Sequence, residues 1–217
     1  HIIRTIYMIK LETYILLKEY QTNTYLLYDT ESQEAMLIDP AAYSECLAQH
    51  IRDSNLRLKL IVNTHGHGDH IGANAAFARS FGCPIAIHSL DAPMLSDGRK
   101  NLSLYMGYDL ASTAADQLLK DGDVLMLGEV PVKVIHTPGH TKGSLCLLVN
   151  KYLVSGDTLF EQSIGRTDLP GGDHAAIIAS IQDKLFVLPD DVLVYPGHGP
   201  ATSIGLEKVN NPFVKER

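Results

Sequence analysis

The segment Thr64-His65-Gly66-His67-Gly68-Asp69-His70 places three imidazoles and one carboxylate within six residues. Neutral ring nitrogens and carboxylate oxygens are the donors that divalent transition metals take. In an extended segment residues two apart point the same way, so His65 and His67 can grip one ion. Asp69 and His70, at the turn into a following helix, can face a second. The bland alternative is a polar loop that happens to be rich in histidine.

Three more motifs weigh against that alternative. His140 follows an apolar run in Thr137-Pro138-Gly139-His140, Asp157 in Ser155-Gly156-Asp157-Thr158, and His198 in Pro196-Gly197-His198-Gly199. All three share one pattern, a hydrophobic strand, a turn containing glycine, and then a residue able to ligate. Such strand-end loops are where sites are built.

The elements that must position these groups read as two clusters of strands, each followed by helices. Tyr14 to Asp39 reads as strands with a turn at Asp29 to Gln33, then a helix from about Ser44 to Ser54. Leu58 to Val62 is a short buried strand, Ile71 to Phe81 an Ala-rich helix stopped by Gly82, and Ile85 to His88 another strand. From Asp91 to Lys120 no period stands out. Strands follow at Asp123 to Leu127, Val132 to Thr137, Ser144 to Val149 and Tyr152 to Ser155, with a helix from about Asp173 to Leu185 and a strand at Val192 to Tyr195. This order suits two packed sheets with helices outside better than one alternating sheet.

The chain has 217 residues, 45% of them hydrophobic, with no linker, repeat or low-complexity tract, so residues 1–217 read as one domain. The residues up to about Met8 read as a tag or processing remnant. Eighteen Lys and Arg against 25 Asp and Glu leave a net charge of −7, with no basic field to attract nucleic acid or a membrane surface. Three scattered cysteines without a C-x-x-C, and no export signal or membrane span, suit the cytoplasm.

The whole set, H-x-H-x-D-H followed by single His, Asp and His residues in that order, resembles the metallo-β-lactamase superfamily. Within it, Ser163-Ile164-Gly165-Arg166-Thr167-Asp168-Leu169-Pro170-Gly171-Gly172-Asp173, Tyr195-Pro196-Gly197-His198-Gly199-Pro200 and Asn210-Asn211-Pro212-Phe213 are similar to short glyoxalase II-like hydrolases. The resemblance implies an α/β fold, a four-layer αββα sandwich with the metal site at one edge of two facing sheets. It assigns His65, His67 and His140 to a first divalent ion, Asp69, His70 and His198 to a second, and Asp157 to both. Zinc is the first choice of metal, with iron or manganese as alternatives.

Two ions sharing Asp157 would lower the pKa of a water between them and supply hydroxide near neutral pH. The implied substrate is a small-molecule thioester, such as the glutathione conjugate S-lactoylglutathione. Asp69 is then the residue that orients the hydroxide or takes its proton. Longer glyoxalase II enzymes hold glutathione with a C-terminal helical domain that has no counterpart here, which leaves Arg166 to anchor a substrate carboxylate. The rival reading is a mononuclear iron persulfide dioxygenase, which carries a similar G-R-T-D loop. A nuclease would need basic surface, an exported β-lactamase an export signal, and a non-enzymatic metal module fewer ligands. His136 and His88 read as core histidines, His50 as solvated, His174 as capping-related beside Asp173, and Cys146 as a small core residue.

Overall fold

The computed structural model describes residues 8–215, so the segment read as a tag or processing remnant lies outside the described residues, Met8 excepted. Strands β1 (Ile9–Leu16), β2 (Thr22–Asp29) and β3 (Glu34–Ile38) form an antiparallel meander, and β4 (Arg57–Val62), β5 (Ile85–His88) and β6 (Gln117–Leu119) extend it in parallel. A second sheet begins with β7 (Val124–Leu127), β8 (Val130–His136), β9 (Leu145–Val149) and β10 (Tyr152–Gly156). After the small hairpin β11 (Leu159–Phe160) and β12 (Ser163–Ile164), β13 (Leu193–Pro196) and β14 (Thr202–Ser203) complete its order β14-β13-β10-β9-β8-β7.

Strand alternation sorts the side chains into three apolar seams. Tyr25 and Leu27 of β2, Met36 and Ile38 of β3, and Val132, Val134, Leu145 and Leu147 of the second sheet meet between the sheets. Leu26, Leu37 and Ile61 face outward onto Leu47 and Ile51 of α1 (Glu45–Asp53) and Phe77 of α3 (Asn74–Phe81). On the far side Ile135, Cys146, Leu153 and Val194 pack under Ile177 of α4 (His174–Ser180) and Ile204 of α5 (Ile204–Asn210). The layers are therefore helix, sheet, sheet, helix. A bulge in the β3–β4 pairing lets Leu58 face outward and Leu60 inward, although they are two residues apart.

The structure corrects the sequence reading in several places. The expected helix from Ile71 to Phe81 is two helices, α2 (Gly68–Ile71) and α3, and the ligand candidates Asp69 and His70 lie inside the first. They part because the Ala73 N–H donates to Pro40 O at 2.8 Å, a bond made outside the helical ladder. The strand segment begins at Ile9 and turns at Leu17 to Gln21, both with positive φ, as well as at Thr30 to Gln33. Beyond Ser180 the helix expected to reach Leu185 winds as one π turn, Ile181–Leu185. Strands β6, β11, β12 and β14 and helix α5 were not foreseen.

Candidate metal centre

The candidate ligands converge where strand ends from both sheets meet. β4 leads to His65 and His67, α2 carries Asp69 and His70, and the loops after β8, β10 and β13 carry His140, Asp157 and His198. The two sheets are stitched at this edge: Thr22 bridges His198, Leu145 N–H donates to Thr64 O at 2.9 Å, and Asn23 Nδ2 donates to the carbonyls of Pro196 and Gly199, each at 2.9 Å. A Cβ at Gly197 would lie 2.1 Å from Asp157 Oδ1 and 2.7 Å from His70 Cε1, so only glycine lets this loop close over the cluster.

All seven predicted residues are brought together. His65, His67 and His140 form one group of donor atoms within 4.8 Å of one another, and Asp69, His70 and His198 form another. Asp157 stands between them. Its Oδ1 lies 3.4 Å from His70 Nε2, and its Oδ2 lies 3.5 Å from both His140 Nε2 and His198 Nε2.

Hydrogen bonds on the outer side of the rings set which nitrogen faces inward. His140 Nδ1–H donates to Arg166 O at 2.8 Å, His198 Nδ1–H to Tyr20 O at 3.0 Å, and His70 Nδ1–H to Asp39 Oδ2 at 2.9 Å. Thr64 donates its hydroxyl hydrogen to Asp39 Oδ2, so Thr64 Oγ1 accepts from His65 Nδ1–H at 3.1 Å. With Nδ1–H turned outward, the Nε2 of each of these four rings is the nitrogen left to face a cation. The arrangement is the one that orients imidazoles toward a metal.

Those inward atoms fit a divalent cation. His65 Nε2 and Asp157 Oδ1 are buried without a hydrogen-bond partner. His70 Nε2 and His198 Nε2 face each other at 3.2 Å, and His67 Nδ1 faces His140 Nε2 at 3.0 Å. Imidazole nitrogens this close share either a proton or a cation. Electrostatics agree: burial holds His65 well below the usual histidine range and His67 down to about 3, so both stay neutral electron-pair donors. For Asp157, burial acts upward, but the neighbouring imidazoles of His70, His198, His65 and His140 outweigh it and keep the carboxyl well below the usual range. Burial likewise opposes charge on His70 and His198, yet the surrounding carboxylates raise them to about 9 and about 11. The cluster is built to hold positive charge.

Two buried carboxylates escaped the sequence reading. Asp39, at the end of β3, holds His70 and also accepts from Thr64 N–H at 2.7 Å. Asp91 accepts from Gly66 N–H at 3.1 Å, Thr141 Oγ1–H at 2.6 Å and Gly143 N–H at 2.7 Å. Burial raises its pKa despite these donors. Asp39-Pro40 reads as a simple strand stop, and Asp91 sits in the stretch without a period, so neither carried a signal of its own.

Arg166 does line the cleft of about 480 Å³ beside the cluster. Its guanidinium, however, grips Asp168 with two bonds, Nε to Oδ1 at 2.8 Å and Nη2 to Oδ2 at 2.7 Å. Arg166 also touches the centre through its backbone carbonyl on His140. Of the residues set aside, His136 stacks on His88 with ring centroids 4.1 Å apart, outside the cluster, and Cys146 is fully buried with its thiol pushed up to about 11 by burial. His50 lies 3.1 Å from Glu12, and Asp173 caps α4 through Ala176 N–H.

The profile of the metallo-beta-lactamase superfamily matches residues 17–198. The chain belongs to this superfamily. Hydroxyacylglutathione hydrolase GloC of Haemophilus influenzae is 35% identical, over 91% of this chain and 95% of its own. Among solved structures, the BLEG-1 B3 metallo-beta-lactamase superposes with a TM-score of 0.88 at 39% identity, covering 94% of this chain and 99% of that one. The structure of TTHA1623 in a di-iron-bound form gives 0.80 at 34%, covering 91% and 97%. The layered sheets described above are therefore the metallo-β-lactamase fold, and the superfamily is one of metal-dependent hydrolases.

Proposed function

We propose that the chain is a binuclear metallohydrolase of the glyoxalase II type that cleaves a thioester, with S-lactoylglutathione as the first substrate to try. One observation carries this reading: Asp157 lies within 3.5 Å of imidazole nitrogens from both donor groups, the position of a carboxylate serving two ions. The similarity to GloC supports the choice of thioester. His65, His67 and His140 would hold one ion, Asp69, His70 and His198 the second, and Asp157 both.

When bound, such a pair supplies an activated water near neutral pH and positive charge for the carbonyl oxygen. The remaining work falls to the chain. Asp39, Arg166 and Tyr20 fix the ring orientations through the bonds given above, so that the donor set needs no rearrangement. Thr22 Oγ1–H donates to Asp69 Oδ2 at 3.3 Å, which holds that carboxylate toward the cleft, where it orients the attacking water or takes its proton. The thiolate leaves without needing a strong acid. No protein nucleophile takes part; the thiol of Cys146 is sealed beneath α4.

Imidazole and carboxylate donors suit zinc first, and iron or manganese after it. We place the protein in the cytoplasm, where its three unpaired cysteines suit a reducing medium, and give it neither nucleic acid nor membrane as partner, in keeping with the net charge of −7. Among the described residues no helix is long and apolar enough to cross a membrane. The test is to assay one metal-quantified sample against S-lactoylglutathione and against glutathione persulfide, following thiol release and oxygen consumption. Thiol release without oxygen uptake is expected; oxygen uptake with the persulfide and no thioester cleavage would mark a dioxygenase instead.

A further inference from the structure

The stretch without a sequence period forms a wall of the cleft. A single tight turn, Ser103–Met106, is bracketed by Leu102 at φ 67 and Gly107 at φ 91. A leucine in the left-handed region costs free energy and persists only where its surroundings dictate it. Here the anchor is Asn101, which is buried. Its Nδ2 donates to the carbonyls of Met94 at 3.0 Å and Leu110 at 2.7 Å, its Oδ1 accepts from Ser103 N–H at 3.0 Å, and its carbonyl accepts from Gly68 N–H at 2.7 Å. Gly68 begins the helix that carries Asp69 and His70. A Cβ there would lie 3.1 Å from Ser103 Cβ and 3.4 Å from Met106 Sδ, so the turn rests directly on the ligand-bearing helix.

What this turn presents to the cleft is apolar. Leu102, Tyr105 and Met106 line it on this side, and Phe160 and Leu169 line it as well. Tyr105 is 81% exposed, so packing in the protein itself gives this large ring no reason to stand there. Among the described residues lining the cleft, Arg166 is the one Lys or Arg, and its Nε and Nη2 are paired with Asp168. A substrate carboxylate on this guanidinium would compete with Asp168, replacing one exposed carboxylate by another for little net gain.

We propose that the cleft favours an uncharged, apolar arm, alkyl or aryl, seated against Leu102, Tyr105, Met106 and Phe160, so that thioesters with such an arm are cleaved faster than S-lactoylglutathione, whose glutathione arm carries carboxylates. This rests on the thioester reading for the reaction but concerns the wall alone.

Binding and cleavage separate the two. The probes are methyl ketones with propyl, pentyl and heptyl arms, which cannot be hydrolysed, and a heptyl ketone ending in a carboxylate, each titrated calorimetrically into zinc-loaded full-length protein. Affinity should rise about two- to fourfold per added methylene, and the terminal carboxylate should abolish the gain. Tyr105→Ser should flatten the length dependence while zinc content stays at the parent level. Affinity independent of arm length, or tighter binding of the carboxylated probe, overturns the proposal. Matching acetyl to octanoyl thioesters are then assayed for cleavage: length-dependent binding of the ketones with no thioester cleaved upholds the apolar wall and overturns the thioester reading. Cleavage whose kcat/KM ignores arm length overturns the wall alone.

Discussion

Asp91 Oδ2 lies 2.6 Å from Thr141 Oγ1 and 3.1 Å from the backbone nitrogen of Gly66, so one buried carboxylate ties the loop of His65 and His67 to the loop of His140. With Oδ1 on Gly143 N–H, the group has donors on both oxygens. Asp91→Asn replaces one acceptor by an amide donor facing another donor. We expect the three-histidine side of the centre to lose metal affinity about 10- to 100-fold, with a lowered melting temperature. Competitive metal titration checks it; parent-level affinity would show that the two loops hold their places without this bond.

Asp157→Ala should cost both metals and turnover, because one carboxylate lies against both donor groups. His136→Ala should keep both metals, since its ring stacks on His88 and its Nε2–H donates to Lys142 O, outside the cluster. Metal content of the two purified variants decides the point. An Asp157→Ala protein with its full complement would mean that Asp157 bridges nothing.

How legible this centre was depended on how local its signals are. His65, His67, Asp69 and His70 declare themselves within one short segment, and His140, Asp157 and His198 through a shared strand–glycine–ligand pattern. The groups that aim them do not. Asp39 meets His70 across 31 residues of chain and Asp91 meets Thr141 across 50, and an isolated aspartate beside a strand end looks like any turn residue. Likewise the longer strands of both sheets and helices α1 and α4 show in the hydropathy pattern, whereas β11, β12 and β14, two residues each, are too short to carry a period. The break between α2 and α3 comes from a bond to Pro40, a tertiary contact that no helical period contains.

His88 makes a pH prediction away from the metal cluster. Burial, then the stacked ring of His136, pushes its pKa down to about 4, and its Nδ1 accepts from Leu90 N–H at 3.2 Å. In the unfolded chain the group titrates near about 6.5. Between those values the unfolded state binds a proton that the fold excludes. Stability from this residue is therefore complete above about pH 6.5 and falls as the pH drops toward 4, by at most about 1.4 kcal/mol per unit. His88→Phe keeps the stacking surface and removes the titration. The unfolding free energy of the variant relative to the parent should improve as the pH falls through that window; a difference that stays constant would place the proton elsewhere.

The central claim is that a metal-held water opens a thioester, and the most direct measurement is a single turnover of S-lactoylglutathione by zinc-loaded protein in heavy-oxygen water. The account predicts one heavy oxygen in the product carboxylate, stoichiometric free thiol, loss of the reaction on adding chelator and its return with added metal. Unchanged substrate from a sample with both metals bound, or product whose new oxygen comes from dissolved dioxygen, would contradict it.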